Sequence, residues 1–252
     1  MMNLPAFNAW EWAMVYLAAF CVGLAKTGIP GVGIVAVALF PLLLPPREAV
    51  GSVLLVLIGA DILAVLTYRR EAEWKSLWKL FPGAALGVVL GSLAMGRLRD
   101  SELTRLIGII LLLLVALQFW QRWKARQGKP DAEPTMPLWL SAAAGITAGF
   151  TTMIANAAGP VMIIYLLAMR LPKVAFVATA AWFFFVINLF KVPFSIHLGG
   201  ITKETAKLAL VVFPGALVGG LVGRTVLKKI DQRLFEWLAL LFTLAAGIKL
   251  VL

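Results

Sequence analysis

Eight residues set in apolar surroundings are of types that hold or move charge: Lys26, Thr27, Asp61, Thr151, Thr152, Asn156, Asn188 and Lys191. They do not assemble a clustered acid, base or nucleophile set. The chemistry they offer is recognition without bond making: an ammonium for an anion, hydroxyls and amides for its oxygens, a carboxylate for a proton. Lys26 follows thirteen apolar residues and precedes Pro30-Gly31. At that depth an ammonium needs a partner, an aqueous cavity or room to snorkel, so Lys26 is either a contact for an anionic substrate or an interfacial anchor. Thr151, Thr152 and Asn156 could hold an anion together with exposed helix N-terminal amides, or cap a broken helix. The two readings are compatible.

Asp61 lies inside LLVLIGADILAVL with no charge near it in the chain. It must pair with a basic residue, carry a proton or line water. Lys191 lies inside FFFVINLFKVPF, four positions beyond Ile187, which corresponds to Asp61 at an offset of 126. That spacing permits an Asp61–Lys191 pair across a pseudo-symmetry axis, either static or forming and breaking with conformational state. A pair that broke would couple protonation to opening. Asn188, one turn before Lys191 on nearly the same helix face, is a second polar contact. Tyr165 and Phe183 to Phe185 read as packing, and His197, near a helix end after Pro193, as a residue facing water.

Two breaks must position these groups. Residues 149–173, GFTTMIANAAGPVMIIYLLAMRLPK, are apolar but interrupted at Thr151, Thr152, Asn156 and Gly159-Pro160; residues 23–47, 126 positions earlier, repeat the organisation with a break at Lys26-Thr27-Gly28 and Pro30-Gly31. In a bilayer a broken helix is tolerated only where protein or a water-filled cavity covers its freed amides and carbonyls, and transporters use such breaks for binding near the membrane midplane. A second repeat is sharper: FPGAALGVVLG at 81–91 matches FPGALVGGLVG at 213–223, with glycines four apart on one helix face that allow close packing.

The whole chain has the composition of a polytopic all-α membrane protein. Of its 252 residues 62% are hydrophobic and 14% charged, with a mean hydropathy of +0.94, against about 25% charged in an ordinary soluble domain. Ten apolar stretches run at about 9–25, 31–44, 48–68, 76–96, 103–121, 138–153, 156–169, 174–196, 205–223 and 234–251. Most have the roughly 17 to 25 residues of a spanning helix. The second and seventh are shorter, and are expected to tilt, sit in thinned bilayer or pair with their predecessors as re-entrant hairpins. Residues 121–137 are the one long polar stretch, a linker between a first repeat (1–120) and a second (138–252) of about five helical segments each, broken or re-entrant near 26–33 and 151–160.

The net charge of +11 belongs to the loops. An odd number of crossings per half puts fourteen Lys and Arg on one side and six on the other, whereas four crossings per half leave no bias. The positive-inside rule therefore favours two halves of opposite orientation, with the linker cytoplasmic and both termini outside. The N-terminus lacks the basic region and cleavage site of a secretory signal and reads as the first membrane element, with Trp10 and Trp12 as interfacial anchors. Nucleic-acid binding has no platform here. The single cysteine, Cys21, excludes an intrachain disulfide and reads as a small buried hydrophobe. With one histidine and scattered carboxylates no metal site is expected, and no Walker loop suggests ATP drive. No cofactor is called for.

GLAKTGIPGVGI in the first half, and ANAAGPVMIIYLLAMRLPK followed by TAAWFFFVINLFKVPF in the second, resemble the TauE/SafE family of sulfite exporters over nearly the whole chain. The resemblance implies a permease of two related halves in a bacterial or archaeal cell membrane. It also implies substrates among sulfur-containing oxyanions and organosulfonates such as sulfite. The family's glycine-rich breaks fall on Lys26 to Gly33 and Thr151 to Pro160, with the glycines reduced to Gly28, Gly31 and Gly33 in the first and Gly159 in the second. The expectation is a secondary-type anion permease with proton coupling through Asp61 as a hypothesis, the rival being a membrane scaffold or assembly protein without flux.

Overall fold

The structure is a computed structural model that describes residues 5–95 and 137–238, with Leu241 and Leu244. Its helices are α1 (Ala9–Thr27), α2 (Ile34–Leu43), α3 (Pro46–Tyr68), α4 (Trp74–Ala94), α5 (Leu138–Ala155), α6 (Gly159–Ala168), α7 (Lys173–His197) and α8 (Lys203–Lys229). The stretch expected at 103–121 and the linker lie outside the described residues, as does most of the last stretch; 232–238 are helical. Five of the described helices, α3, α4, α5, α7 and α8, are long and apolar enough to cross a membrane.

Local sequence sets the helix ends. Asn8 caps α1 in a capping box with Glu11, and Thr202 caps α8 through Thr205. Prolines sit at the starts of α3 and α6, where no amide partner is lost. The two stretches expected to be short form helices of only 10 residues, α2 and α6. Each rises about 15 Å, half the roughly 30 Å hydrocarbon core. For α6 protein supplies the cover, since Pro160 to Leu167 are all buried.

Packing pairs α4 and α8 with helices distant in the chain. One core joins α1, α2 and α3 to α8, and the other joins α5, α6 and α7 to α4. The two glycine motifs make this pairing. A Cβ on Gly87 of α4 would overlap the Ile146 carbonyl of α5, and one on Gly219 of α8 the Phe20 carbonyl of α1. Reciprocally, Gly149 of α5 lies on the Ala84 carbonyl and Gly23 of α1 on the Ala216 carbonyl. Such backbone-on-backbone approach is how helices gain packing energy where lipid removes the hydrophobic drive. The two bundles meet chiefly where α3 crosses α7.

Candidate functional site

The polar residues converge at that seam. Both breaks turn the chain through a positive φ, at Gly31 (95°) in the first and at Asn156 (53°), the C-cap of α5, in the second. Asparagine tolerates the left-handed conformation, and unlike glycine it brings a side chain. Asn156 Nδ2 donates to the Val50 carbonyl of α3 at 2.9 Å, leaving its Oδ1 to accept from Lys191 Nζ at 2.6 Å.

Lys26, Asp61, Asn188 and Lys191 form one chain of contacts. Lys26 Nζ lies 2.7 Å from Asp61 Oδ1, an ion pair withdrawn from solvent. The same ammonium stands 3.7 Å above the Phe184 ring, a cation–π contact. Asn188 Nδ2 donates to Asp61 Oδ2 at 2.7 Å, and Asn188 Oδ1 accepts from Lys191 Nζ at 3.4 Å. Lys191 Nζ also donates to Thr152 Oγ1 at 3.0 Å. Asp61 and Lys191 are 0% exposed and the Lys26 side chain 10%.

The pair permitted by spacing, Asp61 with Lys191, is not the ion pair that forms. Asp61 takes Lys26, and Asn188 stands between Asp61 and Lys191. The reason is register. Asn188 sits one position beyond Ile187 and occupies the place opposite Asp61, while Lys191 falls a turn further along, level with the α5 break.

A cavity of about 90 Å³ opens beside this chain of contacts, room for several waters. Its polar wall is Lys26, Thr152, Asn156 and Asn188, and its apolar wall includes Leu57, Met162 and Phe184. Asp61 and Lys191 stand behind that wall. Pro30, Gly31 and Gly33 before α2, and Gly159 and Pro160 opening α6, also line it, and no side chain caps either helix start. Two helix N-termini without side-chain caps thus line one cavity, and the positive ends of their dipoles favour negative charge there.

Two of the residues picked out by type stand apart. Thr151 bonds back to the Thr147 carbonyl at 2.8 Å and the Ala148 carbonyl at 3.2 Å. Thr27 donates to the Gly220 carbonyl of α8 at 2.6 Å, while its own carbonyl accepts from Tyr68. Thr27 thus ties α1 to α8, and Thr151 bonds within its own helix. Sequence reasoning missed Phe184 as a site residue; its signal was its place one turn before Asn188. Tyr165 is buried, His197 exposed and Cys21 buried and free. Among the described residues no group of His, Cys, Asp and Glu could hold a metal ion.

The family profile described as "Sulfite exporter TauE/SafE" matches residues 15–250. The "Probable inner membrane transporter protein TsaS" of Comamonas testosteroni is 25% identical over 202 residues, covering 79% of this chain and 81% of that protein. No solved structure matches.

Proposed function

From the premise that this chain belongs to the Sulfite exporter TauE/SafE family, a multi-pass family of membrane transporters and not of enzymes, we propose that it is a secondary-type permease for small anions. Sulfur-containing oxyanions and organosulfonates such as sulfite are the expected substrates. One observation carries this reading: an ammonium, Lys26, lines an interior cavity between two uncapped helix starts. The anion meets Lys26 near the positive ends of α2 and α6, with Thr152, Asn156 and Asn188 supplying hydrogen bonds. Asp61 is the group through which a proton would be coupled.

We also read the two halves as inverted repeats, 1–120 and 138–252, joined by a cytoplasmic linker at 121–137, with both termini outside. The reciprocal glycine contacts and the loop charge bias support this. Alternating access would rock one bundle against the other across the α3–α7 seam.

Uptake and efflux of radiolabelled sulfite, thiosulfate and a small sulfonate in proteoliposomes, with and without a pH gradient, test the proposal. Saturable flux is expected. Flux no greater than in empty liposomes, with a protein partner co-purifying instead, would favour a scaffold.

A further inference from the structure

The two lysines of the site differ in what they have left to give. An ammonium has three N–H donors, and Lys191 directs its three at Thr152, Asn156 and Asn188. Lys26 directs one at Asp61 and rests on an aromatic face, with no other polar partner among the described residues. Of the three charged groups, Lys26 alone lines the cavity. Lys26 is therefore the cation with donors left to meet a substrate, and Lys191 holds the α5 break to α7.

Among the described residues, and with both lysines as ammoniums, the charges around Asp61 do not balance. Lys26 faces it from α1 and Lys191 from α7, α2 carries no ionisable residue, and α8 presents Arg224 toward Tyr68 instead. Two lysines and one aspartate leave a formal excess of one positive charge in the membrane interior, where an uncompensated charge is costly. We propose that this excess sets the charge of what the cavity takes: a monoanion binds without a proton, and a dianion binds together with one proton on Asp61. The inference rests on the anion-site reading above and gives that site its charge selectivity.

The atoms for this exchange are in place. A monoanion on Lys26 brings the cluster to neutrality with Asp61 ionised, its Oδ2 still held by Asn188. A dianion overshoots by one negative charge. Asp61 Oδ1, released by Lys26 as it turns to the anion, then takes up a proton from bulk solvent, and the carboxylate becomes a neutral acid. Linkage gives the sign: a ligand whose bound state holds one more proton binds more tightly as pH falls, by about tenfold per unit while Asp61 is ionised in the free protein.

The test uses the full chain in lipid nanodiscs and titration calorimetry with methanesulfonate, a monoanion at every pH used, and sulfate, a dianion. Buffers of different ionisation enthalpy report the protons taken up. Methanesulfonate is expected to bind with a Kd independent of pH and no proton uptake. Sulfate is expected to tighten by about tenfold per unit of falling pH with uptake of about one proton, and Asp61→Asn to abolish both effects. Lys191→Met removes one positive charge, so methanesulfonate should then acquire the slope. A slope for methanesulfonate in the wild type, or sulfate without one, whether from flat binding or none, overturns the inference and leaves the anion site standing. Failure of both anions to bind wild type at any pH overturns the anion site as well.

Discussion

At its break the first half offers the cavity an ammonium, Lys26; 126 positions later the second half has a hydroxyl, Thr152, followed by the amide of Asn156. In each half the break reaches for an ionisable group on that half's own long helix, Lys26 for Asp61 on α3 and Thr152 for Lys191 on α7. The polarity is reversed. In the first half the break brings the cation and the helix the acid; in the second the break brings oxygens and the helix the cation. Positions matched in sequence thus carry unlike duties. The first half exposes a charge to the cavity, and the second buries one to fix its break. A site built from two identical halves would hold either two free ammoniums or none.

The difference is sharpest if the Lys26–Asp61 pair is removed without leaving an orphan charge. The double variant Lys26→Met/Asp61→Asn keeps similar volumes, and replacing a whole buried pair is far less damaging than breaking it. It should fold, yet anion affinity, read by calorimetry, should fall by more than about thirtyfold, the loss of a desolvated charge contact. Lys191→Met should do the reverse in kind. With three acceptors deprived of their donor, the buried Thr152 and Asn188 at about 1 to 3 kcal/mol each, unfolding in detergent titrations should come several kcal/mol earlier, while anion affinity falls less than in the double variant.

Where the halves should behave alike is their glycine packing. Gly87→Leu and Gly219→Leu each drive a side chain into a carbonyl of the facing helix, and each should cost about 1 to 3 kcal/mol or more. Thermal unfolding of the two variants should shift together; a large inequality would break the equivalence of the glycine contacts. The smallest effect separates neighbours. Thr152→Val removes one acceptor from Lys191 and should cost about 1 kcal/mol. Thr151→Val, which gives up only a bond to its own helix, should cost less in the same unfolding measurement.

Much of this was legible in the sequence because lipid makes polarity expensive. Asp61, Asn188 and Lys191 could not sit in apolar helices without partners, so their types alone marked the seam. The glycine spacing announced close packing, and the length of the second and seventh stretches announced helices shorter than the others. Which partner each charge takes was not legible. Asp61 chose Lys26 over Lys191 because α1 packs on α3 and because Asn188 fills the place opposite, and both depend on packing that local pattern does not encode. The glycine motifs were read as helix-packing faces, but not as contacts to the other half's first helix. Thr27 and Thr151 carry the right hydroxyls at the right breaks, yet they face a carbonyl in the next helix and a carbonyl in their own turn.

The central claim is that the cavity beside Lys26 is the anion site. Its most direct test is flux of radiolabelled sulfite in proteoliposomes holding equal amounts of wild type and Lys26→Met/Asp61→Asn. The account predicts saturable flux from the wild type and only the empty-liposome leak from the variant. Saturable flux surviving in the variant, or none above leak in folded wild type, would contradict it.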